Sequence, residues 1–138
     1  MTLLGIDYGG KRIGVATGNL GLKISTPLTV IQNDASVIDR IKKIVTEYRV
    51  SKIVMGLPLY KDGNESPLSI TVKGFGTMLQ EQLGLEVVYQ NELLSSNEAQ
   101  IHIKENMNIR DPKKIKELID KVAASMVLQE YMESQGGK

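Results

Sequence analysis

Three β-type runs crowd the start of this chain: Leu3 to Tyr8, Arg12 to Thr17 and Leu22 to Ile31, separated only by Gly9-Gly10 and by the segment Gly18 to Gly21. Connections this short join antiparallel neighbours, because a parallel crossover needs about a dozen residues or more. The chain must therefore open as an antiparallel meander. Beyond Asp34, a residue type that can cap a helix, the period changes: Val37, Ile38, Ile41, Ile44, Val45 and Tyr48 recur at helical spacing. Ile53-Val54-Met55, ended by Gly56 and Pro58, reads as a buried strand within Ser51 to Leu57. A second helix is expected over Pro67 to Leu83, with Gly74 and Gly76 unfavourable in its middle, and a short strand over Leu85 to Gln90. Ser95 or Ser96 can cap a helix to about Met107, and Asp111-Pro112 opens a last helix to about Ser134. The order β, β, β, α, β, α, β, α, α predicts an α/β fold: a five-stranded mixed sheet, three antiparallel strands then two parallel ones, flanked by helices.

At 138 residues the chain falls in the range of one domain, so residues 1–138 are expected to share one core. The absence of cysteine excludes a disulfide framework, a thiolate metal site and a cysteine nucleophile, and suits a cytoplasmic setting. Asp7 breaks the only apolar run near the N-terminus, which lacks the basic start of a secretory signal, and nothing approaches the ~20 apolar residues of a membrane span. The formal net charge of +1 is too small to mark a nucleic-acid binder by itself. Its distribution is uneven, with 8 Lys+Arg against 4 Asp+Glu in residues 1–60 and 9 against 12 in residues 61–138, so a phosphate-binding surface has to be a local patch.

Three acids could carry chemistry. Asp7 ends an otherwise apolar strand, where it serves either as a turn carboxylate bonding nearby backbone N–H groups or as a cation ligand. Glu92 follows the fifth strand immediately; in isolation it reads as an exposed glutamate before a helix. Asp120 precedes the apolar stretch Val122 to Leu128 and heads the row Asp120, Ala124, Val127, Tyr131, whose alanine lets the helix approach the sheet closely. A partly desolvated carboxylate there needs a partner, either a lysine such as Lys116 or a metal ion. If the three converge they repel one another unless a divalent cation neutralises them, and all-oxygen ligation points to Mg²⁺ or Mn²⁺, a pairing suited to phosphodiester hydrolysis. Lys11, Arg12, Lys61, Lys113, Lys114 and Lys116 are the basic groups placed for phosphate, and Lys113, Lys116 and Asp120 share one helical face. With aromatic residues at 4%, backbone contacts must outweigh base stacking. The single histidine, His102, is expected at the surface.

Gly5-Ile6-Asp7-Tyr8-Gly9 with Lys11-Arg12-Ile13-Gly14-Val15-Ala16, Gly56-Leu57-Pro58 with Asp62-Gly63, and Ile119-Asp120-Lys121-Val122-Ala123-Ala124 together resemble the YqgF/RuvX family over essentially the whole chain. The resemblance implies an RNase H-like fold related to the Holliday junction resolvases, and a nuclease role in maturing the 5′ end of 16S ribosomal RNA. It matches the family's first-strand and last-helix aspartates to Asp7 and Asp120, and keeps the central carboxylate of the middle motif as Glu92. That motif usually reads Asp-Glu-Arg-Leu-Thr/Ser-Thr/Ser; here it is Asn91-Glu92-Leu93-Leu94-Ser95-Ser96, and Gly18-Asn19 stands where the family often has Ser-Asp. The expected catalytic and metal residues are thus Asp7, Glu92 and Asp120. The expected partner is pre-rRNA or branched DNA, bound by a monomer or homodimer without a membrane. The competing expectation is a catalytically weak nucleic-acid-binding or regulatory module of the same fold, which the altered middle motif permits.

Overall fold

A computed structural model describes residues 1–59, 64–91 and 112–136, with side chains for all of these except 112–117 and 136. Five strands, β1 (Thr2–Asp7), β2 (Arg12–Asn19), β3 (Ile24–Gln32), β4 (Val50–Leu57) and β5 (Glu86–Asn91), form one sheet in the order β3-β2-β1-β4-β5. β1 pairs antiparallel with β2, and β2 with β3, while β4 runs parallel to both β1 and β5. This is the mixed sheet expected from the run spacing. Among the described residues the helices are α1 (Val37–Tyr48), α2 (Pro67–Leu83) and α3 (Pro112–Gly136), and none is long and apolar enough to cross a membrane. The helix expected from Ser95 or Ser96 to Met107 lies outside the described residues, as does His102.

Several boundaries differ from the pattern-based expectation by one or two residues, and two of these differences have a visible local cause. Asp34 does not cap α1: Ser36 is the N-cap residue, without a side-chain cap bond, and the Asp34 carboxylate instead accepts the Ser36 N–H at 2.9 Å and pairs with Arg40 at 3.2 Å. β3 begins at Ile24 rather than Leu22, because the Leu22 N–H donates to Asn19 Oδ1 at 3.0 Å and Lys23 adopts a left-handed φ of 55°. α2 keeps its expected bounds. Ser66 accepts the Ser69 N–H at 3.1 Å, Pro67 opens the helix, and Gly84 closes it at φ 68°.

The sheet buries both faces, which is why Leu3, Leu4 and Ile6 are all inaccessible in succession. Leu4, Ile6, Ile13, Val15, Ile53 and Met55 meet Val37 and Ile41 of α1 and Val72, Phe75 and Leu79 of α2. On the opposite face Leu3, Ala16 and Val54 meet Ala124, Val127, Leu128, Tyr131 and Met132 of α3. Glycine controls how closely α3 lies. A Cβ on Gly5 would sit 2.8 Å from the Ala124 carbonyl oxygen, and one on Gly14 would overlap the carbonyl oxygen of Asp120. Lys52 fastens the far end of the helix, donating to the Tyr131 hydroxyl at 3.3 Å while pairing with Glu86 at 3.3 Å.

Gly14→Ala must push the helix backbone off the strand, a form of overpacking that costs about 1–3 kcal/mol. Urea unfolding is expected to show that loss, whereas Gly10→Ala, which meets nothing within 4 Å, leaves the midpoint unchanged or slightly higher.

Candidate nucleic-acid active site

Side chains alternate along a strand, so the parity that sends Leu3 and Gly5 toward α3 sends Asp7 there too. Asp7 is the antiparallel partner of Gly14. Directly opposed residues share a face, with Cα atoms roughly 4.5–5.5 Å apart. Gly14 in turn lies under Asp120, whose Cα would be 3.3 Å from a Cβ built there. One strand residue without a side chain thus brings Asp7 and Asp120 to the same end and the same face of the sheet. Asp7 is half-buried and interacts with neighbouring groups.

Asp120 is held from an unexpected direction. The Arg12 Nε donates to Asp120 Oδ2 at 3.1 Å across 108 positions of sequence, with side-chain exposures of 26% and 25%. Sequence spacing nominated Lys116 as the counter-charge; Lys116 belongs to α3, but its side chain lies outside the described residues, as does that of Lys113. Arg12, nominated for phosphate, serves Asp120 because β2 residues 12, 14, 16 and 18 all face α3. Glu92 and Lys61 lie outside the described residues. Among the described residues no three His, Cys, Asp or Glu side chains converge.

The turn before Arg12 has its own support. A Cβ on Gly9 would overlap the carbonyl oxygen of Arg12, so that position requires glycine. Asn33, just after β3, donates through Nδ2 to the Gly9 carbonyl at 2.9 Å and through its N–H to the Lys11 carbonyl at 2.9 Å. Sequence reasoning missed Asn33. Nothing local marks it, and its partners lie in another turn more than 20 residues away. Lys11 is left exposed at the tip.

The RuvX family model, described as Holliday junction resolvase, matches residues 1–134. The chain belongs to this family. A relative from Thermoanaerobacter pseudethanolicus, named "putative pre-16S rRNA nuclease", is 38% identical over 100% of both chains. One of the same name from Paraburkholderia xenovorans is 35% identical over 96% of this chain and 88% of its own. Among solved structures, Thermus thermophilus RuvC superposes with a TM-score of 0.59 at 13% identity, covering 99% of this chain and 97% of that one. The fowlpox virus resolvase, solved with Holliday junction DNA, gives 0.56 at 15% identity over 98% and 99%. At those identities the likeness concerns the fold, which is RNase H-like.

In an ion pair about three-quarters buried, desolvation offsets much of the Coulomb attraction, so the net contribution to stability is small. A double-mutant cycle on Arg12→Gln and Asp120→Asn is expected to give a coupling of about 1 kcal/mol in urea unfolding, and a value near zero would mean that the contact does not persist in solution.

Proposed function

We propose that this chain is a metal-dependent phosphodiesterase acting on nucleic acid, with precursor 16S ribosomal RNA as its substrate. The observation that carries the reading is Asp7 and Asp120 sharing one end of one sheet face across Gly14. Glu92 directly follows Asn91, the last residue of β5, in sequence. It is proposed as the third carboxylate. The family model carries the junction name, but the curated relatives at 33–38% identity carry the ribosomal RNA name and the resolvases solved with junction DNA are only 13–15% identical, which favours RNA over branched DNA.

The donor chemistry fits Mg²⁺ or Mn²⁺: the proposed ligands offer only hard carboxylate oxygens, and Asp120 is partly open to solvent. A divalent ion held by Asp7, Glu92 and Asp120 would act as the Lewis acid of phosphodiester hydrolysis. The chain's own groups do the rest. Lys11 and Arg12, with Lys61, Lys113 and Lys116 as further proposed contacts, bind backbone phosphates and so fix the register of the strand over the carboxylates. Arg12 engages Asp120 through Oδ2, leaving Oδ1 outside that bond.

Purified protein is expected to cleave a 16S precursor RNA with Mn²⁺ and not with EDTA, and Asp7→Asn or Asp120→Asn to reduce the rate by at least about 100-fold. If neither that RNA nor a four-way DNA junction is cut, the nuclease reading fails. Arg12→Gln separates two roles by sign. Removing a cation that shares Asp120 should strengthen Mn²⁺ binding measured by calorimetry, yet weaken RNA binding measured in EDTA. The Arg12–Asp120 pair also favours a second reading, a nucleic-acid-binding module in which that aspartate is structural. In that case RNA affinity survives Asp7→Asn and no metal-dependent turnover exists to lose.

A further inference from the structure

Beside the carboxylates, on the β3 side of α3, lies a recess of about 180 Å³ lined by Arg12, Thr29, Val30, Gln32 and Lys121. We propose that it is a phosphate subsite for the nucleic-acid backbone, with Lys121 as its principal cation, which directs the bound strand across the edge strand β3. The proposal rests on the reading of the chain as a nucleic-acid enzyme, and adds both a residue and a direction to it.

Charge, size and position each support this assignment. Among the described lining residues two are cationic, two offer neutral polar groups and none is acidic. Arg12 spends its Nε on Asp120; among the described residues no hydrogen bond uses its two terminal nitrogens. Lys121 is half-buried and makes no ion pair among the described residues, although it adjoins an aspartate in sequence. A lysine held at such a wall keeps three donors available for an anion. The volume is below the roughly 300–1,000 Å³ of pockets that enclose a drug-sized ligand, and the lining offers two cations and no aromatic face for stacking, so an anionic phosphate suits it better than a base.

Position follows from the register. Arg12 pairs with Gln32 across β2 and β3, and Lys121 directly follows Asp120. A phosphate in the recess would therefore touch the same guanidinium that holds the proposed metal ligand. The strand would pass from the carboxylates over Arg12 to Lys121, away from the parallel half of the sheet. β3 is the outermost strand on that side, so no further strand of the chain blocks the exit among the described residues.

The test uses the full chain in EDTA, with labelled 16S precursor RNA and a four-way DNA junction, and measures affinity by fluorescence anisotropy across a salt series. Lys121→Gln is expected to weaken binding of the preferred substrate about 3- to 10-fold and to reduce the slope of log K against log salt by about 1. Lys121→Arg should restore the slope, and Lys42→Gln on α1, on the other side of the sheet, should change neither quantity. Unchanged slope and affinity in Lys121→Gln, with a wild type that binds, overturn the subsite and leave the nuclease reading standing. A wild type that binds neither substrate overturns both. An equal loss in Lys42→Gln would show diffuse charge attraction and also overturn the subsite. Far-ultraviolet circular dichroism and the urea midpoint of each variant show that the fold is retained, since a folded Lys121→Gln is the comparison that decides.

Discussion

The approach of one helix backbone to two strands governs the geometry at the end of the sheet where the candidate site lies. Gly5, Gly14 and Gly18 clear the α3-facing side of β1 and β2, and in the cleared space lie Ala124, Leu128 and the main chain of Asp120. Ordinary side chains in that row would lift the helix by the thickness of a methyl group or more. Asp120 would move away from Arg12 and Asp7 together, because both are placed relative to it through β2, Arg12 as a member of the strand and Asp7 as the partner of Gly14. A packing constraint, in which no polar group takes part, therefore sets the geometry of the charged site.

The electrostatics then follow from scarcity. Two carboxylates directed to one place raise each other's energy unless positive charge is near. Arg12 supplies one charge at 3.1 Å, on a strand whose position is fixed by pairing on both sides. Because the pair is a quarter exposed, its effect on folding free energy is small and its effect on position is larger. A planar guanidinium can bind through one nitrogen and still present others, which an ammonium on a flexible stem does less well. Arg12 can therefore pair with Asp120 and still serve the proposed phosphate path.

Much of the fold was legible because it depends on local period and turn chemistry. Short glycine-rich connections required the meander, and Ser66-Pro67 with Gly84 bounded α2 at its expected residues. The membership of Asp7 and Asp120 in one end of the sheet was legible only through family resemblance, since the bond that fixes Asp120 spans 108 positions. Lys116 was the local candidate for a partner; the partner seen among the described residues, Arg12, is on a strand that no helical period could nominate. Asn33 and Gly14 escaped for the same reason: one closes a distant turn and the other matters for the side chain it lacks. Asp34 misled because an acid just ahead of a helical pattern is an equally good partner for the first N–H groups and for an arginine one turn on, and here it serves Ser36 and Arg40.

The two faces of the sheet explain why the site opens where it does. Under α1 and α2 the apolar contacts continue to Met55 and Leu57, so that face closes over the strand ends. Under α3 the sheet-facing apolar row begins at Ala124, one turn after Asp120, and runs to Met132. Asp120 therefore stands where the dry interface stops, near enough to the sheet for Arg12 to reach it and near enough to solvent for a quarter of its side chain to remain accessible. A carboxylate one turn further along would be sealed among Ala16, Val54 and Leu128, where neither a cation nor a phosphodiester could reach it without a large desolvation cost. Access to the candidate centre is thus decided by the point at which the sheet-facing row of the helix becomes apolar, and the glycine row decides what the residue before that point can touch.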